Sequence, residues 1–237
     1  MNTFLFDLDG TLLPMDQDYF VDLYFKGIAA KLLPYGIDSK ILIKTVWEGT
    51  KAMIANDGTM NNSQRFWNTA SDILGKNILD YEPVFYDYYK NEFQEVKKAS
   101  RPSGFAKECI KKLKSKGYRL VLATNPLFPQ IATHSRIRWA GLEPEDFDWI
   151  TTYENSSYCK PNIKYYKEIL QNIGANPKQC IMIGNDVSED MVASSLGMNT
   201  FLVTDCLINS EGEDISQYEK GSLKDLLEYI KELPGIN

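Results

Sequence analysis

Two carboxylates stand close together near the start of the chain. Asp7 and Asp9 are separated by one residue, and Gly10 follows them, which permits a turn that brings both side chains toward one centre. Such a pair can bind a hard cation, or it can divide phosphoryl transfer between a nucleophile and a proton donor. Asp and Gly are also ordinary turn residues, so the pair alone is only moderately specific.

Thr124 and Asn125 form a second polar element, directly after the apolar segment 119–123. A hydroxyl, an amide and backbone N–H groups at this place can donate hydrogen bonds to phosphate oxygens. Taken alone, these residue types are more typical of a simple helix cap before Pro126. Their interpretation therefore depends on the other polar elements.

Lys160 and the acidic segment 184–190 are the third and fourth elements. Pro161 can occupy the first turn of the helix that follows, which would place the Lys160 ammonium near the positive end of that helix. This position is unfavourable unless an anion is nearby, so it indicates a phosphate or carboxylate partner. Segment 184–190 follows an apolar run and contains carboxylates of the type that bind magnesium, although such loops are often merely solvated.

The elements that must position these residues are short apolar segments bounded by turn residues. They predict strands at 3–6, 119–123, 149–152, 180–183 and 200–203. Helical patterns separate the later strands, which implies right-handed crossovers and a doubly wound parallel sheet in an α/β protein. Ligands bind beyond the carboxyl ends of such strands, and each of the four polar elements lies at a strand end or a helix start.

Residues 14–99, which we call the insert, have a helical pattern throughout. Four sets of apolar residues recur at helical spacing: Phe20, Leu23, Tyr24, Gly27 and Ile28; Leu42, Val46, Gly49 and Met53; Phe66, Ala70, Ile73 and Leu74; and Phe85, Tyr89 and Phe93. Ser63 is a candidate N-cap for the third helix. We therefore predict that an all-helical bundle interrupts the α/β part of the chain.

The composition is that of an ordinary globular protein. The 237 residues include 26 basic and 32 acidic side chains, a net charge of -6, which argues against binding to nucleic acid or to an anionic membrane. The four scattered cysteines and single histidine do not form a usual zinc ligand set. Without a bilayer-length apolar run or a secretory signal, the chain is expected in the cytoplasm.

The four polar elements resemble, in order, the four motifs of the haloacid dehalogenase (HAD) superfamily: Asp7-x-Asp9-Gly10-Thr11, Thr124, Lys160 and the loop 184–190. Four weak patterns in the right order are jointly far more specific than any one of them. The resemblance implies a Rossmann-like core of residues 1–13 and 100–237. It also implies that residues 14–99 are a helical cap of the first type, inserted between the first two motifs.

The resemblance also implies a role for each matched residue. Asp7 would be the nucleophile that becomes phosphorylated, and Asp9 the general acid and base. Thr124 would bind the phosphate, with Asn125 beside it, and Lys160 would anchor it electrostatically. These roles suit phosphoryl transfer, which depends mainly on placement and on neutralising charge.

The resemblance implies Mg²⁺ as the cofactor, held by Asp7, the backbone carbonyl of Asp9 and the fourth motif. Many relatives have aspartate directly after the glycine of that motif, whereas here Asn185 is in that position and Asp186 follows it. Either residue can supply an oxygen ligand. Carboxylate charge favours Asp186 as the ligand. Asp190 would support the ligands without binding the metal itself.

The expected function is that of a Mg²⁺-dependent phosphatase acting on a small phosphorylated metabolite. The dehalogenases of this superfamily lack the second aspartate, so Asp9 argues for a phosphate ester. A phosphomutase of the same superfamily and a catalytically idle binding or regulatory protein of the same fold are the alternatives. The identity of the substrate and the oligomeric state are left open.

Four residues of the insert are candidates for contacts with the substrate: Trp47, Lys51, Arg65 and Trp67. For each of them, a place in the core or on a solvated helix face is the more typical role.

Overall fold

A single parallel sheet forms the centre of the protein in the computed structural model, which describes residues 1–236. Its strand order is β3-β2-β1-β4-β5-β6. The strands are β1 Thr3–Phe6, β2 Arg119–Leu122, β3 Trp149–Ile150, β4 Cys180–Gly184, β5 Asn199–Val203 and β6 Glu219–Gly221. The order reverses at β1, as it does in doubly wound folds. The predicted α/β class and Rossmann-like sheet are confirmed.

Eight α-helices accompany the sheet within residues 1–236. They are α1 Gln17–Leu32, α2 Ser39–Ile54, α3 Asn62–Leu74, α4 Glu82–Lys90, α5 Gly104–Ser115, α6 Gln130–Trp139, α7 Ile163–Ile173 and α8 Leu223–Glu232. The first four lie between β1 and α5, in the part of the chain that the sequence pattern marks as helical. None of the helices among these residues is long and apolar enough to span a membrane.

Alternate residues of β1 pack into two separate layers of the core. Phe4 and Phe6 belong to one apolar cluster, and Leu5 belongs to another that includes Met182 and Tyr165. Successive side chains of a strand point to opposite faces of the sheet, so a strand covered on both faces must be apolar at every position. This burial explains the uninterrupted apolar runs in the sequence.

Apart from shifts of one residue at strand ends, the structure differs from the strand predictions in two ways. β3 ends at Ile150 rather than residue 152, because Thr152 enters a turn in which its N–H donates to the Asn155 side chain at 2.8 Å. β6 was not predicted at all. Its residues Glu219 and Lys220 are exposed at the edge of the sheet, and an edge strand lacks the apolar run that reveals a buried one.

The predictions for the last two helices of the insert also need correction. Ser63 is not the N-cap of α3: Asn61 is, in a capping box with Gln64, and the Ser63 N–H donates to a carbonyl outside the insert. Phe93, predicted on the same helix as Phe85, is likewise buried but follows the end of α4 at Lys90, in a 3-10 segment over Glu92–Ala99.

The two crossings between the insert and the rest of the chain lie side by side. The Asp16 N–H donates to the Ala99 carbonyl at 2.9 Å, and the Arg101 N–H donates to the Pro14 carbonyl at 2.7 Å. Met15 and Ser100 form an antiparallel bridge between these bonds. The insert therefore leaves and rejoins the sheet-containing part at one place.

Candidate active site

The first, second and fourth polar elements meet because their strands are neighbours. Asp7 directly follows β1, Thr124 is the second residue after β2, and Asn185 directly follows β4. β1 pairs in parallel with both β2 and β4, so the three carboxyl ends lie at one edge of the sheet. All three residues line the same cavity.

Lys160 lies between two carboxylates. Its ammonium group donates to Asp7 Oδ1 at 2.9 Å and to Asp190 Oδ1 at 2.7 Å, and the side chain is only 1% exposed. Burial alone would lower the pKa of Lys160, but the carboxylates of Asp190 and Asp7 outweigh it and raise that pKa well above its usual value. Lys160 therefore provides a permanent positive charge beside Asp7.

The path by which Lys160 reaches this place differs from the prediction. Pro161 is not in the first turn of a helix: α7 begins at Ile163, and the Asn162 side chain caps it by accepting from the Lys164 N–H. Because a cap residue with a side-chain acceptor satisfies the free N–H groups, the helix begins after it. The ammonium is held by two carboxylates instead of by a helix end.

Asp9 is paired with an arginine that the sequence analysis missed. Nη1 of Arg136, on α6, donates to Asp9 Oδ2, and the guanidinium lies 4.6 Å from the centre of the Phe128 ring. Arg136 is 1% exposed. The only hint in the sequence is its spacing of four from Ala132 and Ala140, which places it on the inward face of the helix.

The pair formed by Asp9 and Arg136 has unused hydrogen-bonding capacity. Among residues 1–236, neither Asp9 Oδ1 nor Arg136 Nε has a hydrogen-bond partner, although both atoms are buried. Burial raises the pKa of Asp9 more than the adjacent Arg136 lowers it. A raised pKa favours the protonated form that a general acid requires.

Thr11 connects Asp7 with Asn185. Its hydroxyl is 3.1 Å from Asp7 Oδ2 and 2.8 Å from Asn185 Oδ1. The Asn185 amide nitrogen donates to the Cys206 carbonyl at 2.7 Å, so the amide oxygen faces the Thr11 hydroxyl. Gly10 has a φ of +86°, and a Cβ there would collide with the Asn185 side chain. The close approach of Asn185 to the first motif therefore requires glycine at position 10.

Asp186 lies beside Asn185 but serves a turn. Its Oδ1 accepts hydrogen bonds from the Ser188 N–H at 2.9 Å, the Ser188 hydroxyl at 2.8 Å and the Glu189 N–H at 2.9 Å. Its own N–H donates to Asp190 Oδ2 at 3.0 Å. The Asp186 side chain lines the cavity, but one of its oxygens already has three donors.

The donor atoms at this edge suit a hard cation. They include the carboxylate of Asp7 and the amide oxygen of Asn185, both within hydrogen-bond distance of one hydroxyl, with Asp186 adjacent. All are oxygen ligands of the kind that Mg²⁺ prefers. No group of three or more His, Cys, Asp or Glu side chains within residues 1–236 is arranged to hold a metal ion. The expected Mg²⁺ set uses an amide and a backbone carbonyl as well as carboxylates.

Asn125 joins two of the motifs. Its amide nitrogen lies 3.2 Å from both carboxylate oxygens of Glu189, and its oxygen accepts from the Lys160 N–H at 3.2 Å. Glu189, part of the predicted acidic loop 184–190 but without an individual predicted role, lines the cavity. Thr124 is buried, and its carbonyl accepts from the Tyr165 hydroxyl at 2.9 Å. These contacts hold the loops after β2 and β4 together with the segment before α7.

The cavity has a volume of about 1000 Å³ and lies between the insert and the sheet edge. Of the four insert residues considered from the sequence, Trp47 and Trp67 line it. Arg65 instead forms an ion pair with Asp57, and Lys51 forms one with Glu48. Neither of these two basic residues lines the cavity.

Comparisons with known proteins agree with this geometry. Residues 1–194 match the family described as hydrolase, haloacid dehalogenase-like hydrolase. The chain is 27% identical over 215 residues to a glyceraldehyde 3-phosphate phosphatase from Methanothermobacter thermautotrophicus, a match that covers 90% of this chain and 89% of the relative. It is 24% identical over 200 residues to a phosphoglycolate phosphatase from Agrobacterium fabrum, covering 84% and 79% of the two chains.

Solved structures show the same fold. The crystal structure of a HAD phosphatase from Thermococcus onnurineus matches with a TM-score of 0.61 and 21% sequence identity, covering 100% of both chains. Since the family match spans most of the sequence, the family that the four motifs indicated is confirmed. The chain belongs to the haloacid dehalogenase-like hydrolases.

Proposed function

We propose that this hydrolase is a Mg²⁺-dependent phosphatase that cleaves a small phosphorylated metabolite through an aspartyl phosphate on Asp7. The observation that carries the proposal is the setting of Asp7: it follows β1, its carboxylate is 2.9 Å from the Lys160 ammonium, and it opens into the same cavity as Asp9. The curated relatives in the comparison are named as phosphatases, which supports the same activity here.

In the first step, an Asp7 oxygen attacks phosphorus and the bond from phosphorus to the leaving oxygen breaks. Asp9 gives its proton to that oxygen, so the leaving group departs as an alcohol. Lys160 offsets the negative charge on the phosphoryl oxygens, and the Thr124 hydroxyl and nearby backbone N–H groups donate to them.

In the second step, water attacks the phosphorus of the aspartyl phosphate. Asp9, now ionised, takes a proton from that water, and the bond between Asp7 and phosphorus breaks. Free phosphate leaves, and both carboxyl groups return to their starting forms. Arg136 stabilises the ionised form of Asp9 that exists between the two steps, because its guanidinium pairs with Asp9 Oδ2.

Asp7, the backbone carbonyl of Asp9 and the loop after β4 would hold Mg²⁺, which neutralises charge on the transferred phosphoryl group. Carboxylate charge favours Asp186 as the loop ligand, but the contacts favour Asn185. The Asn185 oxygen already shares a hydroxyl with Asp7, whereas an oxygen of Asp186 is occupied by the turn. Asp190 acts indirectly, by holding Lys160.

Residues 14–99 form, in this proposal, a cap domain on a core of residues 1–13 and 100–237. The N-terminus of α3 is docked on the core, where the Asn62 and Ser63 N–H groups donate to the carbonyls of Ser156 and Tyr153, each at 2.8 Å. Opening would break these contacts and admit substrate, and closure would exclude water. We place the enzyme in the cytoplasm, with small phosphate esters as its partners.

The direct test is hydrolysis of nitrophenyl phosphate and of a panel of phosphorylated metabolites by the whole chain, with and without Mg²⁺. Phosphate release that requires Mg²⁺ and disappears in Asp7→Asn is the expected result. A folded protein that releases no phosphate from any compound would refute the proposal and favour an idle binding protein.

A further inference from the structure

One side of the cavity is a continuous row of aromatic side chains that starts at Asp9. We call this row the aromatic wall, and it consists of Phe128, Tyr24, Phe25 and Trp47. Arg136, which pairs with Asp9, lies over Phe128, and the ring of Phe128 meets that of Tyr24 at 5.4 Å and 76°. Tyr24 contacts Phe25 at 5.2 Å, and Phe25 contacts Trp47 at 5.3 Å. All four rings line the cavity.

The aromatic wall leads from the reacting carboxylate to solvent. Phe128, which Arg136 contacts, is half-buried against the core, Tyr24 is almost fully buried, and Trp47 at the far end is 45% exposed. The Trp47 ring packs against Phe25 and, at the mouth of the cavity, presents aromatic surface that a bound molecule can contact.

Other lining residues of the insert are aromatic as well. Phe66, Trp67 and Phe85 line the cavity, and the rings of Trp67 and Phe85 meet at 5.2 Å and 84°. Trp67 is only 8% exposed, so its ring contributes apolar surface to the lining and its indole N–H is not directed into the cavity. These rings extend the aromatic surface around the entrance to the site.

The size of the cavity also favours a large leaving group. At about 1000 Å³ it is at the upper end of the range for sites that enclose a drug-sized molecule. A leaving group of two or three carbons would reach little beyond Asp9 and would leave the aromatic wall in contact with water. An aromatic ring on the leaving group would lie along that wall.

We propose that the substrate is a phosphate monoester of an alcohol that carries an aromatic ring. This inference rests on the proposed function, because the leaving oxygen must lie beside Asp9 to receive its proton. From that point the leaving group extends along Phe128 and Tyr24 toward Trp47. The substrate class thus differs from the three-carbon and two-carbon phosphates named for the relatives.

The test compares three esters whose leaving alcohols have similar basicity: ethyl phosphate, 2-cyclohexylethyl phosphate and 2-phenylethyl phosphate. The phenyl compound should have a kcat/KM at least about tenfold above that of ethyl phosphate and clearly above that of the cyclohexyl compound. An equal kcat/KM for the two ring compounds would overturn the aromatic part of the proposal, since apolar bulk would then explain the gain.

Phe128→Leu should reduce the ratio of the phenyl to the ethyl rate, because it removes the ring of the aromatic wall that lies within reach of a phenylethyl group beside Asp9. Phe105→Leu is the matched control: Phe105 is 40% exposed on α5 and does not line the cavity, so that variant should keep the ratio. If Phe128→Leu fails to fold, Phe128→Met supplies the same comparison. A ratio unchanged in the folded Phe128 variant would refute the proposal.

Failure of the inference and failure of the proposed function give different patterns. Hydrolysis of all three esters at equal kcat/KM would overturn the aromatic substrate and leave the phosphatase activity intact. No hydrolysis of any ester would remove the phosphatase proposal, and the aromatic substrate with it.

Discussion

The choice between Asn185 and Asp186 as a magnesium ligand can be decided by comparing Asn185→Ala, Asn185→Asp and Asp186→Ala. Asn185→Ala removes a buried hydrogen bond with the Thr11 hydroxyl at 2.8 Å and a partly buried one to the Cys206 carbonyl at 2.7 Å. At roughly 1 kcal/mol each, their loss should lower the free energy of unfolding by about 2 kcal/mol. Asp186→Ala removes an acceptor that caps a turn and should cost about 1 kcal/mol.

Stability alone does not identify the ligand, so magnesium dependence is the deciding assay. If the Asn185 oxygen binds Mg²⁺, Asn185→Ala should raise the Mg²⁺ concentration for half-maximal activity by about tenfold or more, and Asp186→Ala should raise it less. The measurement is nitrophenyl phosphate hydrolysis across a Mg²⁺ titration, with the folded fraction of each variant checked by circular dichroism.

Asn185→Asp is the matched variant, because it keeps the shape of the side chain and adds charge. Its second oxygen replaces the nitrogen that donates to the Cys206 carbonyl, so two acceptors would face each other and Tm without Mg²⁺ should fall. Mg²⁺ should restore part of that loss and bind more tightly than in the parent protein. A larger rise in Mg²⁺ requirement for Asp186→Ala than for Asn185→Ala would refute this reasoning.

Four further predictions test the catalytic residues and the cap. Asp7→Asn should remain folded and lose turnover by several orders of magnitude; near-normal activity in a verified sample would exclude Asp7 as the nucleophile. Asp9→Asn should suffer more with ethyl phosphate than with nitrophenyl phosphate, whose leaving anion needs little protonation, and an equal loss on both would count against its role as the acid. Arg136→Met should show the same dependence on the leaving group, because Asp9 loses its partner. It should also lower the free energy of unfolding by roughly 2 kcal/mol, which is less than the usual cost of breaking a buried ion pair because Asp9 is partly exposed. A melting temperature and a leaving-group ratio equal to those of the parent protein would contradict this prediction. Solution scattering should show a more compact particle when Mg²⁺ and a phosphate mimic are added, if residues 14–99 close as a lid; identical curves would argue against the lid.

The sheet and the meeting of the motifs were predictable because they depend on local patterns and on one general rule. Apolar runs revealed five strands, and the carboxyl ends of neighbouring parallel strands must share an edge. β6 is not predictable in this way because an exposed edge strand has no apolar run. The sequence does not distinguish Ser63 from Asn61 as the N-cap of α3, because both have suitable side chains. The backbone conformation determines that Asn61 accepts the capping hydrogen bond.

The sequence patterns do not reveal two residues of the site, for a different reason. Arg136 lies outside the four motifs and Glu189 lies within the fourth without a role assigned to it; their contacts with Asp9 and Asn125 join distant parts of the chain. A charged residue in a helical pattern normally lies on the protein surface, so a buried arginine is recognised only when its partner is known. The same limit applies to Asn185, whose amide orientation is decided by the Cys206 carbonyl.

The paired crossings at Asp16 with Ala99 and Pro14 with Arg101 make the helical segment exchangeable. Hydrogen bonds hold the two ends of this segment together, and these bonds do not depend on how many residues lie between the ends. A longer or shorter segment therefore changes the entropy of loop closure only slightly. The reacting carboxylates and Lys160 lie outside the segment, while Tyr24, Phe25 and Trp47 lie within it. Grafting a different helical segment between positions 15 and 100 should therefore change which alcohol is released without rebuilding the phosphoryl-transfer machinery.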